Sequence, residues 1–170
     1  MSWRSFLFPQ TIFITSSRFN HHIRVNEEWG KMKLLVNGSP QYASYIANLW
    51  KQAFAHFSLH AQKPKNALIF GIGGGTVISL LSDYFPWIVQ TCVDIDGVVI
   101  DIAKKYFNLC SLPNVSIVHA DAKTYVKQLV TKKKTYDCII IDLFIGGSIP
   151  SFVEKRQFLQ SIHKILSPKG

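Results

Sequence analysis

An α/β fold with a parallel, doubly wound sheet behind a small N-terminal β region is the architecture this sequence predicts, and three observations carry it. Short apolar runs centred on residues 67–70, 88–93, 115–118 and 138–141 recur through the second part of the chain. Segments of helical periodicity lie between them at 76–85, 97–107 and 123–130, and one more follows at 153–166. Each run leads into a glycine or an aspartate: Gly71, Asp94, Asp121 and Asp142. Near-continuous apolar strands are what a sheet covered by helices on both faces requires, and strand–helix alternation is the signature of parallel crossovers.

The elements are expected in this order. Residues 11–15, 22–27 and 31–36 read as short strands, turned at Glu28-Trp29-Gly30 and at Asn37-Gly38. Pro40 opens a helical stretch over 41–57 with apolar residues at Tyr42, Tyr45, Ile46, Leu49, Ala53 and Phe57. Residues 62–66 form a polar linker containing Pro64. This divides the chain into an N-terminal strand region (1–40), a connecting helix and linker (41–65) and a ligand-binding α/β domain (66–170). Leu166-Ser167-Pro168-Lys169-Gly170 is a helix stop. A strand is expected after it, so the domain reads as C-terminally truncated, with 138–141 as an open apolar edge.

Composition bounds the function. The chain has 170 residues, 48% hydrophobic and 17% charged, enough to bury a core. No apolar run approaches the ~20 residues of a membrane span. In residues 1–14 Pro9 interrupts the apolar run and no cleavage signal follows, which argues against a secretory leader. Three scattered cysteines, Cys92, Cys110 and Cys138, make neither a disulfide framework nor a zinc site, so a reducing, cytoplasmic setting and no metal are expected. The net charge is +9, with basic flanks and half the carboxylates in residues 66–131. Such a balance disfavours a polycationic substrate and leaves a neutral or anionic one. No arginine stripe or stacking-aromatic motif points to nucleic acid. His21 and His22 read as surface residues, His119 as a packed strand-end residue, and Trp29, Trp50 and Trp87 as packing aromatics.

The chemistry concentrates on the strand ends. Gly71, Gly73 and Gly75 form a glycine-rich turn between the first parallel strand and its helix. Such a turn brings backbone N–H groups and a helix N-terminus close to a ligand. Asp94 ends the second strand, 23 residues after Gly71, where a carboxylate can accept two ribose hydroxyls. Asp96 reads as the cap of the next helix. Counted from Gly71, the dinucleotide fingerprint G-x-G-x-x-G places Thr76 at its third glycine, and Asp121 has no role in that scheme. Adenosyl cofactors such as S-adenosylmethionine fit better than NAD.

Five stretches together resemble the spermidine synthase family of class I S-adenosylmethionine-dependent transferases: Leu34-Leu-Val-Asn-Gly38-Ser-Pro-Gln41, Leu68-Ile-Phe-Gly-Ile-Gly-Gly-Gly75, Val93-Asp-Ile-Asp96, His119-Ala-Asp121-Ala122 and Tyr136-Asp-Cys-Ile-Ile-Ile-Asp142. The resemblance implies a Rossmann-like class I methyltransferase fold behind an N-terminal β-hairpin region, and decarboxylated S-adenosylmethionine or S-adenosylmethionine as cofactor. It also implies a homodimer. By position, Gln41 would contact the adenosyl group, Asp94 and Ile95 the ribose, Asp121 and Ala122 the adenine, and Pro150 would line the adenosine pocket. Asp142 falls at the family's proton acceptor.

The same resemblance exposes departures. Gly74 and Ile145 stand where the family has substrate-binding aspartates, Ile46 and Ala47 where it has an acidic pair, and Lys51 where it has a histidine. A polyamine's ammonium groups need carboxylates, because an unpaired buried charge costs several kcal/mol on the order of magnitude. The expectation is a transferase moving a methyl or alkyl group from a sulfonium cofactor to a small non-polyamine acceptor. Aminopropyl transfer in polyamine biosynthesis and a non-catalytic nucleotide-binding module are the alternatives.

Overall fold

A computed structural model of the chain describes residues 3–42, 44–145 and 148–168. After a short 3-10 turn at Trp3–Phe6, strands β1 (Gln10–Thr15), β2 (Ile23–Glu28), β3 (Lys31–Val36) and β4 (Ser39–Tyr42) form an antiparallel sheet in sequence order. Both tight hairpins carry a non-glycine residue at positive φ, Trp29 at 53° and Asn37 at 49°, as turns matched to strand twist demand.

The helical reading from residue 41 is corrected here. Ser39–Tyr42 pairs with β3, with Leu35 opposite Pro40 and Val36 opposite Ser39. Pro40 sits on the edge strand, where its missing N–H is harmless, and proline keeps its predecessor extended. Helix α1 therefore starts at Ser44 and runs to His56. Ser58 in the left-handed region (φ 52°) ends it, and a single turn, α2 (Leu59–Gln62), occupies part of the expected linker.

The remaining elements alternate as expected: β5 (Asn66–Phe70), α3 (Thr76–Tyr84), β6 (Val89–Asp94), α4 (Gly97–Tyr106), β7 (Val115–His119), α5 (Ala122–Thr131), β8 (Cys138–Ile141) and α6 (Arg156–Ile165). Helix α6 starts three residues later than its periodicity suggests, because Lys155 is extended (φ −72°, ψ 130°). The four strands are all parallel, in the order β7-β6-β5-β8. Alternation along β5 shows why its run is unbroken. Ala67 and Ile69 enter a cluster with α1, α3 and α4, whereas Leu68 and Phe70 enter another with α5 and α6. Cys92 and Cys138 are buried apolar residues, and desolvation pushes their thiols up to about 12 and about 11.

A third cluster joins the two sheets: Ile23, Val25, Leu34 and Val36 pack on Val99 and Ile102 of α4. Beyond α6 the chain turns back beside β8. The Tyr136 N–H donates to the Ile165 carbonyl (2.8 Å) and the Ser167 N–H to the Tyr136 carbonyl (2.9 Å). No helix among the described residues is long and apolar enough to cross a membrane.

Candidate functional site

The carboxyl ends of β5, β6, β7 and β8 open into one cleft, where an open α/β sheet binds its ligands. Gly71 makes the geometry possible. Its φ is +91°, and a Cβ there would stand 2.0 Å from the Asp142 carbonyl oxygen. The Gly71 N–H donates to the Val93 carbonyl (2.9 Å) and the Asp142 N–H to the Phe70 carbonyl (2.8 Å), so this residue locks three strand ends together.

The two acids at the centre differ in their surroundings. Asp94 is bonded on both oxygens: the Ile72 N–H donates to Oδ2 (2.8 Å) and the Asp96 N–H to Oδ1 (2.9 Å). Burial and then the neighbouring Asp96 charge raise its pKa, and the N–H donors oppose them; the net direction is upward. Each carboxylate oxygen has a second lone pair, so the pair can still accept from sugar hydroxyls. Asp142 accepts no hydrogen bond among the described residues. Desolvation alone holds its carboxyl above the usual range.

Asp96 is the α4 cap, accepting from the Val98 N–H (3.0 Å) and the Val99 N–H (3.4 Å). Its other oxygen takes the Ser17 hydroxyl (2.5 Å) and the Asn20 amide (2.8 Å) from the β1–β2 loop. That latch lays Phe19 and Asn20 on the cleft wall. Asp121 caps α5, accepting the N–H and hydroxyl of Thr124 at 2.9 Å each. It lines the cleft with Ala122 at the same time.

Most of the expected residues meet here. Gln41, Gly71, Gly73, Asp94, Ile95, Asp121, Ala122, Asp142 and Pro150 all line the cleft. Gly75 does not. It is a packing glycine, whose Cβ would lie 2.4 Å from a Leu109 methyl. His119, expected to pack, is exposed at its strand end, with Nε2 3.0 Å from the Ile95 carbonyl. Thr76, buried at the start of α3, has a hydroxyl without a partner among the described residues. The cleft also gains Phe144 and Phe152, which no motif marked, and Ile145, which stands where the family has a substrate-binding aspartate. Its free volume is about 80 Å³, narrower than the roughly 300–1,000 Å³ of clefts that hold drug-sized ligands.

A second hollow of about 440 Å³ adjoins it, sharing Gln41, Asp142 and Phe144 and lined on its far side by Tyr45, Leu49 and Trp50 of α1. Ile46 lines this hollow, whereas Ala47 packs on the core. Lys51, expected near the acceptor, instead lines a separate concavity with His60 and Tyr84.

The spermine/spermidine synthase domain model matches residues 48–170. The polyamine aminopropyltransferase of Vibrio vulnificus is 38% identical over 108 residues, covering 64% of this chain and 36% of that protein. The eEF1A lysine and N-terminal methyltransferase of Xenopus laevis is 34% identical over 113 residues, 62% of this chain and 16% of that protein. The chain thus spans well under half the length of either relative. The spermidine synthase of Thermotoga maritima superposes with a TM-score of 0.71 at 23% identity, covering 93% of this chain and 54% of that one, and so shares the fold. Four parallel strands in the observed order, an antiparallel sheet before them and a matched family model over most of the chain place this protein in the spermine/spermidine synthase domain family.

Proposed function

We propose that this chain is an adenosyl-sulfonium-dependent transferase whose acceptor is not a polyamine. The observation that carries the reading is the pairing of two unlike carboxyls at one rim: Asp94, already oriented by two backbone N–H groups, and Asp142, desolvated and facing both hollows. Asp94 and Ile95 would hold the ribose, Asp121 and Ala122 the adenine edge, and Gln41, Gly71, Gly73 and Pro150 the walls around the adenosyl group. Relatives named as an aminopropyltransferase and as a methyltransferase support a transferable carbon on sulfur.

When bound, the sulfonium supplies an electrophilic carbon, whose bond to sulfur breaks with its electron pair left on sulfur as the acceptor's lone pair bonds to that carbon. The chain's contribution is alignment. Asp142 holds the acceptor and takes the proton it sheds, a task suited to a carboxylate whose pKa is pushed up toward working pH. Gly74 and Ile145 provide no carboxylate, and among the described residues Asp142 is the sole charged group lining the second hollow. This favours a non-polyamine acceptor over aminopropyl transfer to a polyamine.

A crystal structure with methylthioadenosine tests the reading. The sugar hydroxyls are expected on Asp94 and the sulfur toward Asp142; a nucleoside seated elsewhere would contradict it.

A further inference from the structure

The second hollow has a definite chemistry. Tyr45, Ile46, Leu49 and Trp50 of α1 form one wall, Pro40 of β4 and Phe144 add apolar surface, and Asp142 stands where the hollow meets the nucleoside cleft. Among the described residues no lysine, arginine or histidine lines it. Its volume of about 440 Å³ lies within the range of small-molecule sites.

That lining discriminates between charge classes. An anionic acceptor would meet the Asp142 carboxylate and, among the described residues, no cation to compensate it, since Ser39 and Gln41 add only neutral polar groups. A diamine would place one ammonium at Asp142 and leave the second beside aromatic and aliphatic side chains, with no carboxylate among the described residues to pair it. An acceptor with one basic nitrogen satisfies Asp142 and leaves nothing else charged. Its remaining body is apolar and flat, because Tyr45, Trp50 and Phe144 present ring surface that aromatic ligands bury well.

We infer that the hollow between β4, α1 and Asp142 is an acceptor site for a monoamine: one basic nitrogen at Asp142 carried on a flat apolar body. The assignment rests on reading the adjoining cleft as the nucleoside site, since that reading makes Asp142 the meeting point of donor and acceptor. It departs from the expectation of a neutral or anionic acceptor, which was drawn from net charge and from Lys51, a residue that lines another concavity.

Calorimetry on the full chain with 2-phenylethylamine, putrescine and phenylacetate, each with and without methylthioadenosine, tests it. The expected result is that 2-phenylethylamine binds at least about tenfold more tightly than putrescine, and phenylacetate more weakly still. Asp142→Asn should weaken 2-phenylethylamine about tenfold or more, as loss of a buried charge partner does. Leu49→Asp lies at a helix position that is 58% exposed, so the fold tolerates it, and a second carboxylate there should reverse the order in favour of putrescine. Putrescine binding as tightly as 2-phenylethylamine to the unaltered chain, or phenylacetate binding more tightly than either, would overturn the inference. Methylthioadenosine binding without any 2-phenylethylamine binding overturns the acceptor assignment alone. Asp142-dependent 2-phenylethylamine binding without nucleoside binding upholds the monoamine site and contradicts the nucleoside reading.

Discussion

Asp142 is held charged only at a free-energy cost, since burial raises its pKa and no donor offsets that. A carboxyl whose folded pKa lies above its unfolded one binds its proton more tightly in the native state. Native stability then falls as pH rises from the ordinary carboxylate value through the raised one. Asp142→Asn should therefore raise the melting temperature at neutral pH, by the equivalent of about 1 kcal/mol. The gain should vanish in acid, below the ordinary carboxylate pKa. On the proposed role of Asp142 as proton acceptor, the same substitution should lower transfer while the protein becomes more stable. Thermal melts between acid and neutral pH check this; a neutral-pH melting temperature equal to or below that of the unaltered chain contradicts it. Gly71→Ala acts oppositely. Its Cβ would meet the Asp142 carbonyl at 2.0 Å in a left-handed backbone region, and the loss should exceed about 2–3 kcal/mol, measured by denaturant unfolding.

At the scale of elements, Asp137 clips the start of β8 to its neighbours. Its carboxylate accepts the Lys65 N–H (2.9 Å) and the Ser167 hydroxyl (3.0 Å), while its own N–H donates to the Asn66 side chain (3.0 Å). The Lys65 N–H and the Ser167 hydroxyl outweigh desolvation and lower its pKa. A depressed folded pKa means the clip's contribution is present above the ordinary carboxylate value and is lost as pH falls through the depressed one. Asp137→Ala should cost about 1 kcal/mol at neutral pH and speed amide exchange in β8 and at Ser167. Unchanged exchange there would contradict the clip.

The elements also show what was legible. Strand β5 could be read because burial on both faces makes it an unbroken apolar run. Strands β6, β7 and β8 could be read because Cys92-Val93, Ile117-Val118 and Ile139-Ile140-Ile141 keep short apolar stretches beside it, although β7 is only partly covered and β6 buries Gln90 and Thr91. The Asp96 cap could be read from local spacing, whereas Asp121, placed by resemblance at the adenine, caps α5 as well as lining the cleft. Strand β4 could not, since Pro40-Gln41 suits a helix start as well as an edge strand until its pairing with β3 is known. Phe19 and Asn20 reach the cleft through hydrogen bonds to Asp96 across more than 70 residues of sequence. No local pattern encodes that contact. Gly75 matched the motif, yet its need is packing against Leu109.

On the scale of the molecule, the antiparallel sheet and the α/β unit share apolar contacts. Ile102 and Val99 of α4 pack on Ile23, Val25, Leu34 and Val36, and the Asp96 latch closes the same junction. Ile102→Ala should cost about 2–5 kcal/mol and loosen the β1–β4 sheet and the α/β unit together, with the two losing amide protection in parallel. Loss confined to α4 would contradict a shared core. Because Phe19 rides on the latched loop, the junction also shapes the cleft at the strand ends.

A titration of the unaltered chain and of Asp94→Asn with S-adenosylmethionine, followed by calorimetry, bears most directly on the whole account. Saturable one-site binding by the unaltered chain, weakened about tenfold or more in Asp94→Asn, is the predicted result. No binding by the unaltered chain, or equal affinity in the two proteins, would contradict it.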